Sequence, residues 1–302
     1  MHDHAHGEVP YNIIEVDEKL VESFLGRIQN PLNTSGTDMN IIDDSAFRGI
    51  MVVETNSYFN RIEANQLNVF KQKFHSIVLK TLKRFKGHII KQNDCSYLVS
   101  FKSVSDAIFS ALNIQSDIKF IIPKSDKPNR LLNIAIRSGT PVTSKDTIFE
   151  EVIVLTSRMS EVVNGEIVIS NEVNNLFGIE NKNSILDKKL IRTLEPFEEK
   201  FLTQLMNYVE NIWSNSNIKV EDLSIVLGYS KSQLYGKLKS ITNKSPNNFI
   251  KDIKLNKSLN LFQRRLSNIS EIAFEVGFNS PAYFTRCFHE KFGILLSKYT
   301  QQ

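Results

Sequence analysis

Cysteine is almost absent. The chain has 302 residues and two cysteines, Cys95 and Cys287, which lie far apart and fit no metal-ligand spacing. That excludes a small disulfide-built scaffold and a cysteine zinc module, and it points to reduced thiols in a cytoplasmic protein. No apolar run approaches the ~20 residues that a helical membrane span needs, so no membrane partner is expected. The N-terminus, MHDHAHGEVP, lacks both a basic start and an apolar h-region, so it does not read as a secretory signal. With only 8 prolines and 12 glycines, the chain is not a low-complexity one. Hydrophobic residues at 41% and charged residues at 23% are those of folded domains. At roughly 100–200 residues per domain, the length suggests two.

The net charge of +4 conceals a division. From Lys200 to Gln302 there are 14 Lys and Arg against 7 Asp and Glu; residues 1–199 hold 23 against 26. A basic third joined to a mildly acidic remainder suggests a nucleic-acid-binding module attached to something else.

Residues 1–45 combine three histidines, an amphipathic stretch (IIEVDEKLVESFLGRI) and the turn-rich PLNTSGTDMNIIDDSA, a tail and linker. Strand and helix periods then alternate. The spacing predicts strands over 49–54, 88–91, 97–101, 130–137 and 166–170, with helices over 60–85, 103–118 and 149–163. This order predicts an α+β sandwich of ferredoxin-like type over 46–180. Residues 181–199 read as a linker, with 185–194 either a last strand pair or the exit. From 200 to 302 every periodic segment is helical and short, predicting an all-α domain.

Within the α domain two segments share one plan. Val220 to Ser230 (VEDLSIVLGYS) and Ile269 to Ser280 (ISEIAFEVGFNS) each give a short helix, a glycine turn and a helix start. Gly228 and Gly277 sit where a tight inter-helix turn needs positive φ. The helices that follow carry mostly polar or basic residues, suited to a major groove of ~12 Å. The candidate DNA-binding residues are Lys231, Ser232, Gln233, Tyr235, Lys237 and Lys239 in the first unit. In the second they are Ser280, Ala282, Tyr283, Arg286 and Lys291. Gln233, Tyr283 and Arg286 are assigned to base edges, and Lys237, Lys239 and Lys291 to phosphates. Lys219 and Lys257 read as solvated face, and Phe274, Phe278, Phe284 and Phe288 as core.

This tandem resembles the DNA-binding domain of the AraC/XylS transcription regulators. ISEIAFEVGFNSPAYFTRCFHEKFG follows that family's signature nearly residue for residue, and SPNNFIKDIKLNKSLNLF fits its bridging helix, with Lys254 where Arg is usual. Gly236, Asn243 and Leu296 depart from the family's usual Arg, Gly and Pro. Gly236 inside the first recognition helix should cost about 1 kcal/mol relative to Ala.

Residues 47–178 resemble the class III nucleotide cyclase homology domain, through FKGHIIKQNDCSYLVSFKSVSDAIFSALNIQ, LLNIAIRSGTPV and FEEVIVLTSRMSEVVNGEIVIS. The family's chemistry needs two metal-binding carboxylates on adjacent strands. Their positions fall on Glu54 and Cys95, with Asp94 displaced by one residue, which on a strand turns a side chain to the other face. The purine-binding Lys falls on Ile89 and the Asn on Val154; Arg158 alone matches. The resemblance therefore implies a cyclase shape without cyclase activity and with no cofactor. Glu54 and Asp94 otherwise read as a strand end and a hairpin turn, and Arg158 as a surface ion pair.

The first residues resemble the junction after a small ferredoxin-like domain of the nickel-responsive type. That implies that Met1 is internal to a longer gene product and that residues 1–45 are the remnant. His2, His4 and His6 alternate and could bind transition metals weakly, but no dedicated metal site is expected. The combined reading is a bacterial, cytoplasmic, sequence-specific regulator that binds double-stranded DNA as a homodimer. Its cyclase-like domain is sensory or dimerising, with an unidentified small-molecule effector. The alternatives are an active cyclase fused to a DNA-binding domain and a metal-responsive regulator.

Overall fold

The structure is a computed structural model that describes residues 49–55, 64–93, 95–121, 132–139, 147–163, 167–182, 185–263 and 268–299. The tail over 1–45, His2, His4, His6 and Asp94 lie outside the described residues. No helix among the described residues is long and apolar enough to cross a membrane.

The N-terminal part is a mixed sheet. Strand β1 (Gly49–Thr55) leads to helix α1 (Ala64–Arg84), a hairpin of β2 (His88–Asn93) and β3 (Ser96–Phe101), and helix α2 (Val104–Ile121). Strand β4 (Leu132–Ser138), helix α3 (Thr147–Val162), strand β5 (Ile167–Ser170), helix α4 (Asn171–Glu180) and strand β6 (Ile191–Leu194) follow. The strand order is β2-β3-β1-β4-β5-β6. The pairs β2–β3, β3–β1 and β1–β4 are antiparallel, while β4–β5 and β5–β6 are parallel.

The central strands β1, β4 and β5 bury residues on both faces, which is why they read as largely apolar runs, whereas the edge strand β2 stays exposed or half-buried. Met51, Val53, Ile134, Ile136, Ile167 and Ile169 join one core with Phe74, Ile108 and Phe177. Ala135 and Val168, at the alternate positions, join a second core on the opposite face with Met159 and Val162 of α3. Helix α2 begins against a residue far along the chain: the Glu180 carboxylate accepts from the Val104 and Ser105 N–H groups and both hydroxyls, Ser103 and Ser105. Those bonds outweigh its partial burial and hold its pKa below the ordinary carboxylate value.

Two features differ from expectation. The segment 181–199 is not wholly a linker: of the two readings of 185–194 the strand is present in part, since Ile191–Leu194 pairs in parallel with β5. Its four residues, IRTL, are too few to carry a period; sheet pairing supplies what the sequence pattern does not. Helix α4 was not anticipated, since NEVNNLFGIE is rich in poor helix formers. It is held by the Ser170 hydroxyl, which caps the Val173 N–H at 3.2 Å, and by burial of Val173 and Phe177.

The C-terminal part is wholly helical among the described residues. Helix α5 (Pro196–Ile212) is followed by α6 (Val220–Leu227), α7 (Lys231–Thr242), α8 (Pro246–Gln263), α9 (Ile269–Glu275), α10 (Pro281–Phe292) and the single turn α11 (Leu296–Tyr299). Helix α5 buries Phe201, Leu202, Leu205, Met206 and Val209 in the same cluster as Ala135, Val168 and Leu194 of the sheet. Leu223, Leu234, Leu238 and Phe249 extend that cluster into the first helical unit. A separate core of Ile272, Phe278, Phe284, Phe288, Phe292 and Leu296 belongs to the second unit.

Candidate nucleic-acid interface

The two helix–turn–helix units are built alike. Gly228 (φ 72°) and Gly277 (φ 77°) hold the left-handed conformation in their turns. Ser230 starts α7 with a capping box: its Oγ accepts from the Gln233 N–H at 3.3 Å, and Gln233 Oε1 accepts from the Ser230 N–H at 3.0 Å. Ser280 starts α10, its Oγ accepting from the Tyr283 N–H at 3.3 Å. Asn243 ends α7 at φ 58°, so Asn fills a left-handed cap position without disturbing the helix. Leu296 is buried against the second core.

The bridging helix α8 joins the units through Lys254. Its ammonium donates to the Asn215 carbonyl at 2.8 Å and to the Gly277 carbonyl at 2.9 Å. The side chain is buried, and burial lowers its pKa. Sequence reasoning noted the residue type but missed this role, because both partners are distant in sequence.

On α7, Ser232, Gln233 and Tyr235 are exposed, as is Lys239, which donates to the Asn243 carbonyl at 3.1 Å. Lys231 pairs with Glu221 of α6, and that contact lowers the Glu221 pKa. Lys237 is turned away from the free face: its Nζ lies 4.9 Å from the Tyr229 ring centroid, 5.1 Å from that of Phe197 and 5.9 Å from that of Phe201. On α10, Ala282, Tyr283 and Arg286 are exposed together. The Arg286 guanidinium lies over the Tyr283 ring at 5.1 Å and 3.8 Å from the Glu290 carboxylate. A hydrogen bond with Cys287 raises the Tyr283 phenol pKa.

Lys291, expected at a phosphate, points elsewhere. Its ammonium donates to the Asp252 carbonyl at 2.7 Å and is drawn between α10 and α8. Burial pushes its pKa down to about 8. Helix geometry supplies the reason, since five residues beyond Arg286 is about 140° around the helix. Phe274, read as core, is 57% exposed, whereas Phe278, Phe284 and Phe288 are buried as read. Its counterpart in the first unit, Ile225, is also exposed. Lys257, read as solvated, donates to Glu210 at 2.6 Å, and Lys219 precedes α6, its N–H donating to Asp222 at 3.1 Å.

The cyclase-like positions among the described residues have differing surroundings. Glu54 accepts from the buried Ser160 hydroxyl at 2.8 Å. Cys95 is exposed in the β2–β3 turn, Ile89 is half-buried and Val154 is exposed. The Arg158 guanidinium donates to the uncharged Asn207 Oδ1 of α5 at 2.7 Å, where an ion pair was expected.

Comparison with known proteins agrees with the helical geometry. A family described as "Helix-turn-helix domain" matches residues 223–302. A histidine kinase P4 of Formosa agariphila is 37% identical over 35% of this chain and 8% of its own length. An HTH-type transcriptional regulator of Bacillus subtilis is 32% identical over 30% of each chain. This chain therefore spans less than a third of either curated relative. A solved transcriptional regulator of Chromobacterium violaceum, described by its AraC-type DNA-binding domain, is 21% identical over 36% of this chain and 96% of that one, with a TM-score of 0.34. The C-terminal region is thus similar to helix–turn–helix domains of transcription regulators.

Proposed function

We propose that the whole chain is a sequence-specific transcription regulator in which α7 and α10 enter successive major grooves of double-stranded DNA. The observation that carries this reading is the pair of matched units, each with a left-handed glycine turn and a serine-capped second helix, locked together by Lys254 on α8. On this reading Gln233, Tyr283 and Arg286 face base edges, with Ser232, Tyr235, Ser280 and Ala282 beside them. Lys231 and Lys239 lie nearest to phosphates. Lys237 and Lys291 are left out, since Lys237 lies against three aromatic rings and Lys291 is drawn between α10 and α8, whereas Lys231 and Lys239 stay exposed.

The mixed-sheet domain is the sensory or dimerising part, a non-catalytic cyclase-like, ferredoxin-type module. Its altered catalytic positions and the antiparallel order β2-β3-β1-β4 support that reading. A homodimer would bring two such pairs of helices to one site and raise affinity through effective concentration. The core shared by sheet, α5 and the first unit offers a physical route from an effector on the sheet domain to α7.

The test is selection of the full chain against a random duplex pool at fixed salt, because phosphate contacts make affinity strongly salt-dependent. The expected result is an enriched site with two sequence blocks about 10–10.5 base pairs apart. A pool that stays random overturns the reading.

A further inference from the structure

The mildly acidic N-terminal part is itself divided in charge. Residues 64–93, which hold α1 and β2, carry seven Lys and Arg and no acid. Over the wider span 46–121, which includes the adjoining helix α2, there are 11 Lys and Arg against 5 Asp and Glu. The neighbouring acids do not cancel the face of α1. Burial raises the Asp106 pKa and Lys86 opposes that rise, so Lys86 is answered in part. Lys73, Lys80, Lys83 and Arg84 are exposed and make no ion pair with any described residue. Lys73, Lys80 and Arg84 fall within about 40° of one another around α1, in a stripe about 16 Å long. Lys80 faces Lys83 and Arg84 at the three- and four-residue spacings where like charges repel. The helix C-terminus favours Lys83 and Arg84, but it does nothing for Lys73 or for the missing acids.

The opposite charge lies in the same chain. Residues 1–45 hold nine acids and two basic residues. Among them Glu15, Glu18 and Glu22 recur three and four positions apart, the spacing that puts charges in one row. The point of attachment favours the encounter. Residues 1–45 lead into β1, and Gly49 at its start pairs with Phe101 of β3. A Cβ on Gly87, just beyond α1, would lie 2.8 Å from that Phe101 ring. The chain therefore enters the sheet at the end where Lys80, Lys83 and Arg84 are gathered. From Glu22 to Gly49 an extended chain spans up to roughly 90 Å, so reach does not limit the contact.

We propose that the acidic segment 1–45 docks on the cationic face of α1 in the same chain and withholds that face from other polyanions. The contact is ionic and exposed, so salt weakens it. It does not rest on the proposed function.

The full chain, mixed with an isotope-labelled copy, is treated with a carbodiimide that joins carboxylates to lysine amines, and the linked peptides are mapped by mass spectrometry. The expected links run from Glu15, Glu18 or Glu22 to Lys73, Lys80 or Lys83, stay within one isotope, and fade as salt rises from about 0.05 M to 0.5 M. Two pairs of charge reversals follow: Lys80→Glu with Arg84→Glu, and Glu18→Lys with Glu22→Lys. Each pair should cut the remaining links between Glu15 and Lys73 or Lys83 about fivefold, the weight of two exposed ion pairs. All four together should restore them, which a variant that merely misfolds would not do. Links scattered over the lysines of the whole chain, links that join labelled to unlabelled chains, or links indifferent to both pairs overturn the proposal. It also falls if no such links form and duplex DNA instead shields Lys80 and Lys83 from acetylation, since the face then serves an outside polyanion.

Discussion

The Lys254 ammonium donates to the carbonyl of Gly277 at the turn of the second unit, 2.9 Å away. The same turn is closed from the other side. A Cβ on Gly277 would lie 2.5 Å from the Ser214 carbonyl oxygen and 2.8 Å from Lys254 Nζ. Gly228 has a similar φ, yet a Cβ there meets nothing within 4 Å. Gly228→Ala should therefore cost only the left-handed penalty, about 1–2 kcal/mol. Gly277→Ala adds a backbone clash and displaces a buried ammonium, so it should cost about 3 kcal/mol or more. Denaturant unfolding of both variants checks this; equal losses would show that φ alone matters and that the Lys254 clamp does not.

The contrast marks what was legible in the sequence. Both glycine turns, both serine caps and most strands could be read from local pattern, since each is fixed by residues within one or two turns. Lys254 could not, because its partners lie 39 and 23 positions away. Helix α4 was hidden for a related reason, having little local preference and being supplied by burial, and strand β6 was only one of two readings of 185–194, which sheet pairing decides. Lys291 and Phe274 misled by residue type. Residue type alone does not place a basic residue of α10 or a Phe of an amphipathic helix, because the angle at which each leaves its helix decides what it meets.

Gly236 offers a gain. It lies in the interior of α7, where a Cβ would meet nothing within 4 Å. Gly236→Ala should stabilise the fold by about 1 kcal/mol, by removing backbone freedom from the unfolded chain. The check is the denaturation midpoint at unchanged m-value. A loss of stability would mean that α7 needs the glycine for an approach that the free protein does not display.

The pH dependence of stability should report Lys291. Its pKa is lowered from 10.5 to about 8, so the unfolded chain holds more protons between those values. Stability therefore rises as pH passes from about 8 to 10.5, and below 8 the buried charge is a constant cost of order 3 kcal/mol. The groups facing this ammonium are Asp252 and Glu161, which oppose the shift, and Lys244 and Lys251, which add to it. Lys291→Met should remove this rise in stability without lowering stability at pH 7. Unfolding free energies of wild type and variant, measured across pH 7 to 10.5 in phosphate-free buffer, make the comparison. Parallel curves would show that the ammonium is not protonated on unfolding in this range.

Arg286 and Tyr283 form an exposed stacked pair on α10. The guanidinium lies over the phenol ring at 5.1 Å, and Glu290 steadies its other side at 3.8 Å. Such a side chain is positioned before DNA arrives, so less freedom is lost on binding. Arg286→Ala should weaken specific binding by about 1–3 kcal/mol and relax preference at one base position, while non-specific affinity falls far less. Arg286→Lys keeps the charge but loses the planar fork and the stack, so it should restore the salt slope and not the base preference. The measurement is a binding profile of wild type and both variants over all single-base changes of the selected site. A profile that shifts uniformly, with no position singled out, would move Arg286 from base reading to backbone contact.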